Sequence, residues 1–269
     1  MSKTIFITGS STGLGRATAL LFAERGWNVI ATMRNPGKET ELAKVPGITL
    51  MPLDVTDPAQ IKETVAEALA LGPVDVVFNN AGYGLAGPFE GATDEQITDE
   101  INTNLLGVMR VTRAFLPALR AQRSGTILTT TSIGGLVTFP MNSVYHATKW
   151  ALEGFSESLA YELAGFGIRV KTVAPGGIKT DFAGRSLVLT PHEAYAEPMA
   201  KVAAVFMSPE RRAQGSTAEQ IAEVVFEAAT DGKDQVMYLA GADAKATYAQ
   251  RQAVGVDAFR KAVAQRFLG

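Results

Sequence analysis

A phenol and an ammonium group lie four residues apart in the segment "YHATK", at Tyr145 and Lys149. If this segment is helical, the two side chains share one face of the helix. A nearby cation favours the phenolate, so Lys149 would lower the pKa of Tyr145 and make it a proton donor near neutral pH. His146 is turned by about 100° from Tyr145 and is expected to face elsewhere. The same spacing also suits an ordinary amphipathic helix without chemistry, so other motifs must decide between the two interpretations.

Short apolar runs alternate with longer segments of helical periodicity along the whole chain. Strands that are buried on both faces read as nearly continuous apolar runs. The alternation predicts an α/β fold, a single doubly wound (Rossmann-type) domain over residues 1–269, with about seven parallel strands and helices on both faces. Strands are predicted at 4–8, 28–32, 48–53, 74–79, 126–131, 168–174 and 236–240, and helices at 14–25, 58–71, 94–123, 143–165, 217–230 and 243–266. Asp94 and Thr217 are the predicted N-caps of their helices.

Composition excludes several classes of site. The chain has 269 residues, 46% hydrophobic and 19% charged, and a net charge of −2 gives no basic surface for nucleic acid. There are no cysteines and two histidines, so neither disulfides nor a cysteine- or histidine-rich metal site is expected. No apolar run reaches the ~20 residues of a membrane helix, and no signal peptide is recognised. We therefore expect a cytoplasmic protein with no membrane and no metal partner.

A glycine-rich turn follows the first predicted strand in "TGSSTGLG". Gly9, Gly13 and Gly15 precede a helix, so the backbone can turn tightly and a diphosphate can approach the helix N-terminus. The spacing is G-x-x-x-G-x-G and differs from the G-x-G-x-x-G fingerprint. Ser11 and Thr12 add hydroxyl donors. This position at the carboxyl end of the first strand predicts a nucleotide site.

The residues after the second strand indicate which dinucleotide binds. NAD sites usually place an acidic residue there to hold the ribose 2′-hydroxyl. Thr32, Met33 and Arg34 stand at this corner, and none is acidic. Arg34 could instead bind a 2′-phosphate, with Lys38 as a second cation. The sequence thus predicts a preference for NADP(H) over NAD(H).

Several short motifs occur in one order along residues 3–180. They are the glycine turn, "LDV" at 53–55, "NNAG" at 79–82, "NTNLLG" at 102–107, "TTTSIGG" at 129–135, "YHATK" at 145–149 and "PGGIKT" at 175–180. In this order and at these intervals the chain resembles the short-chain dehydrogenase/reductase family. The segment "VIATMRNP" is also reminiscent of the hydroxysteroid-type branch of that family.

The resemblance implies an enzyme that transfers a hydride between nicotinamide and a carbonyl or secondary alcohol. Tyr145 would be the general acid/base, Lys149 would hold the nicotinamide ribose, and Ser132 would bind the substrate oxygen. Asn104 would support a water-linked proton path to Lys149. The implied cofactor contacts are Gly9, Ser11, Thr12, Gly13, Leu14, Gly15, Arg34, Asp54, Val55, Asn80, Ala81, Gly82, Tyr145, Lys149, Pro175, Gly176, Ile178 and Thr180.

The substrate is expected to be a small apolar ketone or alcohol. An insertion at 181–216 and two nearby loops should close the pocket, with lining residues Leu136, Phe139, Met141, Phe182, Leu189, Tyr195, Met199 and Phe206. The family resemblance implies a homodimer or homotetramer, and apolar stripes on the helices at 94–123 and 143–165, such as Leu105, Val108, Val111 and Phe115, are assigned to that contact.

Two other functions remain open at this point. One is an NAD(H)-dependent dehydrogenase of the same family. The other is a non-catalytic regulatory protein that senses a dinucleotide, which would be expected to lose Tyr145 or Lys149.

Overall fold

A seven-stranded parallel sheet forms the centre of the molecule. The computed structural model describes residues 2–180 and 182–269, without the side chains of Phe182 and Ala183. The strands are β1 (Thr4–Thr8), β2 (Asn28–Met33), β3 (Ile48–Pro52), β4 (Val76–Asn79), β5 (Gly84–Ala86), β6 (Gly125–Thr130), β7 (Ile168–Pro175), β8 (Leu187–Leu189) and β9 (Met237–Ala240). The main sheet has the order β3-β2-β1-β4-β6-β7-β9, while β5 and β8 pair separately. The predicted doubly wound α/β fold is confirmed.

Helices cover both faces of this sheet. They are α1 (Gly13–Glu24), α2 (Pro58–Ala70), α3 (Asp94–Ile101), α4 (Val108–Gln122), α5 (Ser143–Ala164), α6 (Phe182–Arg185), α7 (Ala196–Phe206), α8 (Pro209–Gln214), α9 (Ala218–Thr230), α10 (Ala242–Val254) and α11 (Val256–Leu268). Among the described residues, no helix combines the length and apolarity needed to cross a bilayer.

Alternate residues of each central strand enter different cores. Ile5 and Ile7 pack with α1 and α9 on one face, whereas Phe6 packs with α2, α4 and α5 on the other. Successive strand side chains point to opposite faces, so a strand covered on both sides must be apolar at every position. This requirement explains why the strands were visible in the sequence.

Two predicted helices differ from expectation at their ends. The segment predicted as one helix at 243–266 is two helices, α10 and α11, separated by Gly255 at φ +80°. Glycine adopts this left-handed region without a steric penalty, so the chain can change direction there. Thr93, and not Asp94, caps α3, because its side chain accepts from the Gln96 N–H while the Gln96 side chain accepts from the Thr93 N–H. Thr217 caps α9 as predicted.

The long predicted helix at 94–123 contains a wider turn. Residues Asn102–Gly107 are π-helical and join α3 to α4. Single π-turns inside α-helices often occur at functional sites, where they re-aim side chains. Gly107 allows this turn to approach Val55, since a Cβ at Gly107 would lie 2.9 Å from Val55 Cγ2. Asn104 lies in the middle of the turn.

Three of the four residues that the sequence assigned to an oligomer contact are buried instead, whereas Leu105 is half-buried. Val108, Val111 and Phe115 are at most 5% exposed and pack against the sheet. These side chains face inward because one whole side of α4 packs on the sheet. These three residues are therefore not available for a contact with a second copy.

The insertion is attached to the rest of the fold by backbone pairing. Strand β8 pairs with β5 in parallel, with Gly84 opposite Leu187, and the Thr190 N–H donates to the Ala86 carbonyl. Gly87, at φ +146°, lets Thr190 approach, since a Cβ there would lie 2.2 Å from Thr190 Oγ1. The sequence analysis did not predict this second sheet.

We expect Gly15→Ala to destabilise the fold. A Cβ at Gly15 would lie 2.2 Å from the Gly9 carbonyl oxygen and 2.6 Å from Asn80 Nδ2, so α1 would have to move off the sheet. Overpacking of this kind costs roughly 1–3 kcal/mol. Gly154→Ala is the matched control, because no atom lies within 4 Å of its Cβ position in α5. Thermal unfolding should show a lower Tm for the first variant only; equal Tm values would contradict the packing argument.

Candidate active site

The glycine turn forms an open cradle at the start of α1. Gly9 and Gly13 have φ values of +71° and +56°, and a Cβ at Gly9 would lie 2.8 Å from Ala81 Cα. Thr12 is the N-cap of α1, yet its side chain makes no capping bond within the described chain. Ser11 and Thr12 are exposed. Free N–H and hydroxyl donors at a helix N-terminus suit a diphosphate.

Leu14 contributes to this cradle only through its backbone. Its side chain is 7% exposed and packs in the core between α1 and the sheet. The sequence prediction of Leu14 as a cofactor contact is therefore restricted to main-chain atoms. The reason is that the first turn of α1 must also bury its inward-facing side.

Asn80 holds the cradle in place from the neighbouring strand. Its Nδ2 donates to the carbonyl oxygens of Thr8, at 3.2 Å, and Gly9, at 3.1 Å, while its Oδ1 accepts from Thr130 Oγ1 at 3.2 Å. The N–H groups of Asn80 and Ala81 both donate to Thr8 Oγ1. The amide of Asn80 is thus used inside the protein, so its role is to shape the groove.

The segment after β7 closes the groove on the opposite side of the cradle. Pro175 ends β7, and Ile178 pairs with Ser216. A Cβ placed on Gly13 would lie 3.8 Å from Thr180 Cγ2. Thr180 therefore faces the glycine turn across a narrow gap, and the two segments can hold an elongated ligand between them.

Asp243 at the start of α10 supports the same segment. Its Oδ2 accepts from the Gly177 N–H at 2.7 Å, and a Cβ at Gly176 would lie 2.2 Å from its carboxylate oxygens. Only a glycine at position 176 therefore leaves room for the Asp243 carboxylate beside the backbone. The sequence analysis missed this contact, because 66 residues separate its two partners.

Arg34 is available to a ligand at the end of β2. Thr32 and Met33 are buried, and Thr32 Oγ1 donates to the Ile7 carbonyl. The Arg34 side chain is exposed and has no hydrogen-bond or ion-pair partner in the described part of the chain. Of the three residues at this corner, Arg34 alone carries a charged group, and it is exposed.

Asp54 and Val55 shape the floor beside this corner. Asp54 Oδ1 accepts from the N–H and the hydroxyl of Thr56, at 2.9 and 2.7 Å. The Asp54 N–H donates to Gln60 Oε1. Val55 is 7% exposed and touches the π-helical turn at Gly107. The contacts of both side chains organise the loop after β3, and their predicted role as cofactor contacts stays a prediction.

Ser132, Tyr145 and Lys149 come together at the carboxyl edge of β6. Ser132 is hydrogen-bonded to Tyr145, and its Oγ accepts from the Gly134 N–H at 3.0 Å. Lys149 Nζ donates to the Thr130 carbonyl at 3.0 Å and lies 5.7 Å from the centre of the Tyr145 ring. Lys149 is 6% exposed. Two hydroxyl groups and one ammonium group therefore face one space.

The acidity of Tyr145 differs from the sequence expectation. Burial raises the pKa of Tyr145, the hydrogen bond from Ser132 lowers it, and the charge of Glu100 raises it further. Burial also lowers the pKa of Lys149 to about 8. The prediction of a lowered Tyr145 pKa was wrong for this structure, because desolvation of the phenolate outweighs the hydrogen bond with Ser132. Tyr145 is accordingly a phenol at neutral pH.

Asn104 connects the π-helical turn to the loop after β4. Its Nδ2 donates to the Tyr83 carbonyl at 2.7 Å, and its Oδ1 accepts from the Tyr83 N–H at 3.0 Å. A Cβ at Gly82 would lie 3.0 Å from Asn104 Oδ1 and 3.9 Å from Lys149 Nζ. Asn104 and Lys149 are thus neighbours beside Gly82.

His146 is a positioning residue that the sequence analysis set aside. It is buried, and its ring packs against the Tyr145 ring with the ring centres 6.0 Å apart. Its Nδ1 contacts the Gly134 carbonyl at 2.6 Å, and its Nε2 accepts from the Phe139 N–H at 3.0 Å. Only a neutral ring with the proton on Nδ1 satisfies both bonds, and burial lowers the pKa of His146 accordingly. His146 therefore ties α5 to the loop that follows Ser132.

The donor set fits a dinucleotide and offers no metal centre. Within residues 2–180 and 182–269, no group of three or more His, Cys, Asp or Glu side chains is placed to hold a metal ion. The glycine cradle, Thr180, Arg34 and Lys149 form a continuous path along the carboxyl edge of the sheet, where open α/β sheets bind ligands.

Known proteins resemble the chain over most of its length. The sequence profile of the family described as short chain dehydrogenase matches residues 3–187. Oxidoreductase BOA17 from Botryotinia fuckeliana is 38% identical over 251 residues, which cover 91% of this chain and 90% of that protein.

Solved structures share the fold. A short-chain dehydrogenase from Streptomyces avermitilis has a TM-score of 0.85 at 32% identity, covering 98% of this chain and 96% of the other. ElxO with NADP bound has a TM-score of 0.77 at 26% identity, covering 91% and 100%. The order of motifs, the arrangement of Ser132, Tyr145 and Lys149, and these likenesses agree: the chain belongs to the short-chain dehydrogenase/reductase family of NAD(P)-dependent oxidoreductases.

Proposed function

We propose that this protein is an NADP(H)-dependent oxidoreductase acting on the carbonyl or secondary alcohol of an apolar small molecule. The observation that carries the proposal is the arrangement of two hydroxyl groups, of Ser132 and Tyr145, beside the buried ammonium of Lys149. A protein that only senses a dinucleotide has no need of a phenol poised as a proton donor.

Tyr145 is the general acid/base of this proposal. The bound nicotinamide supplies or accepts the hydride, and the protein contributes orientation and a proton. In the direction of reduction, the Tyr145 hydroxyl gives its proton to the substrate oxygen, on which negative charge develops, and Ser132 donates a hydrogen bond to the same oxygen. Because burial keeps Tyr145 protonated, its proton is present at neutral pH. Lys149 and Asn104 support the site from the side of Gly82.

Arg34 supports the choice of NADP(H). Its exposed guanidinium group can pair with two oxygens of a 2′-phosphate. Among the structural neighbours, ElxO has been solved with NADP bound. The lack of an acidic side chain at residues 32–34 points in the same direction, since an NAD site usually holds the 2′-hydroxyl with a carboxylate there.

The surroundings of the insertion favour an apolar substrate. Phe139 and Phe206 pack edge to face, and both are tilted against Phe267, with ring centres 5.1 to 5.9 Å apart. Arg211 lies over all three rings. Tyr195 is half-exposed and donates to Glu90 at 3.0 Å, which holds the insertion near Phe89. The Phe182 side chain lies outside the described residues. We propose that the insertion at 181–216 is the substrate loop of the single domain.

A second copy of the chain is the proposed partner of α4 and α5. Half-exposed apolar side chains line a groove of about 360 Å³ between these helices, including Leu106, Met109, Leu116 and Phe155. Arg110 and Arg113 border it. An apolar groove on two long helices suits a two-fold contact, in which the same surface is used by both copies.

We expect Tyr145→Phe to lose turnover and keep cofactor affinity. The variant lacks only the hydroxyl, and general acid–base catalysis contributes typically 10²–10⁴-fold. Turnover of a panel of ketones with NADPH and a separate fluorescence titration of NADPH measure the two effects. Tyr161→Phe, on the exposed side of the same helix, should behave like the wild type. Near-normal kcat in Tyr145→Phe would disprove the assignment.

We expect the wild type to prefer NADPH over NADH through Arg34. A hydrogen bond to a charged group contributes roughly 1.5–3 kcal/mol, which corresponds to a preference of roughly 10- to 150-fold. The exposure of Arg34 favours the lower figure, because salt screens the interaction. In Arg34→Ala, the ratio of kcat/KM for NADPH to kcat/KM for NADH should fall sharply, while the kinetics with NADH stay unchanged.

The control for this comparison is Lys38→Ala, which removes an exposed cation from the next turn of the chain. A smaller change than in Arg34→Ala is expected. A ratio that stays constant in Arg34→Ala, or a wild type that prefers NADH, would exclude Arg34 as the phosphate ligand.

We expect Leu116→Glu to dissociate the oligomer. A charge in the groove between α4 and α5 would be buried in the contact between copies, at a cost that the contact cannot offset. Light scattering should give a multiple of the 28.5 kDa chain for the wild type and a smaller mass for the variant. Leu71→Glu, at a 63% exposed position after α2, is the control. A monomeric wild type would contradict the proposal.

A further inference from the structure

Glu100 is a buried acid that the reaction described above does not use. It lies in α3 with no exposed surface. Its Oε1 accepts from the Leu85 N–H at 2.9 Å and lies 3.5 Å from Asn104 Nδ2, while its Oε2 has no hydrogen-bond partner among the described residues. An ionised carboxylate in such a place is costly unless another charge compensates it.

The charged groups around Glu100 belong to the active site. Asn104 Nδ2, which lies 3.5 Å from Glu100 Oε1, also lies 3.4 Å from Thr148 Oγ1, next to Lys149 in α5. The charge of Lys149 acts on Glu100, and the charge of Glu100 acts on Tyr145 and on Tyr83 in the loop before β5. Glu153 lies beyond Lys149, one turn further along α5. Asp99, the neighbour of Glu100 in α3, is exposed and acts on Tyr83. Lys149 is the cation among these groups, so it is the compensating charge.

Burial brings the pKa values of Glu100 and Lys149 close to each other. Burial raises the pKa of Glu100 to about 7 against the attraction of Lys149. Burial lowers the pKa of Lys149 to about 8 against the attraction of Glu100. Two interacting groups of this kind titrate as a pair, and each one's charge depends on the other.

We propose that Glu100 is a positioning residue of the proton-transfer site, which forms with Lys149 a buried acid–base pair and thereby sets the pH range in which Tyr145 works. This inference rests on the proposed function of Tyr145. The carboxylate form of Glu100 keeps Lys149 an ammonium and makes loss of the Tyr145 proton harder. Removing the carboxylate should therefore let both Lys149 and Tyr145 lose their protons at lower pH.

The first test uses the cofactor-free protein and needs no turnover. In protein labelled with ¹³C at the glutamate carboxyl carbons, one resonance should titrate near pH 7, far above the ordinary value of 4.5. It should be missing in Glu100→Gln and should titrate at still higher pH in Lys149→Met, which removes the compensating cation. A Glu100 resonance that titrates near 4.5, or that ignores Lys149→Met, would overturn the pair.

The second test follows the pH dependence of kcat/KM in Glu100→Gln. Glutamine keeps the shape and the bond to the Leu85 N–H, but it has no charge. In the direction of reduction, the activity falls as Tyr145 loses its proton, so the alkaline limb should move to lower pH. Asp99→Asn removes an exposed charge one residue away and should leave the limb in place. A merely structural role would reduce the rate equally at every pH.

The outcomes separate this inference from the proposed function. An active wild type whose alkaline limb stays unmoved in Glu100→Gln would overturn the role of Glu100 alone. A wild type that reduces no ketone with either cofactor would overturn the proposed function. The carboxyl titration would still show whether Glu100 and Lys149 titrate as a pair. If Glu100→Gln fails to fold, the wild-type and Lys149→Met titrations give the same decision.

Discussion

The hydrogen bonds of one half-buried amide, that of Asn80, determine where the two halves of the site lie. The amide joins β1, β4 and β6 at their carboxyl ends, through Thr8, Gly9 and Thr130. The carbonyl of Thr130 in turn accepts from Lys149. The glycine cradle and the ammonium group are therefore positioned by a single connected network. These connected hydrogen bonds keep both halves in register.

Much of the fold follows from patterns that the sequence displays. A sheet covered on both faces requires apolar residues at consecutive positions, as at Ile5, Phe6 and Ile7, so the strands could be predicted closely. The pairing of β5 with β8 could not, because three-residue strands carry almost no pattern and the partners lie a hundred residues apart. The break at Gly255 was missed because a glycine inside a helical pattern is often tolerated.

The sequence predicted which residues form the site better than it predicted their pKa values. Spacing alone brought Tyr145 and Lys149 to one face, and the family resemblance supplied Ser132. The direction of the Tyr145 pKa depends on how much water reaches the hydroxyl, which residue spacing does not contain. Glu100 lies four residues before Asn104, a spacing visible in the sequence, yet only its burial distinguishes it from an ordinary helical acid. The hydroxysteroid-type branch remains a prediction.

The pairing of β5 with β8 has a consequence for how this protein can change over evolution. Main-chain hydrogen bonds and the close approach of Gly87 to Thr190 hold the insertion, and neither depends on the side chains of Leu187 or Leu189. Leu189 is 57% exposed. The loop can therefore exchange these side chains while its path stays the same. Substitutions at these positions could change which ligands this part of the surface binds, without first requiring a new loop conformation.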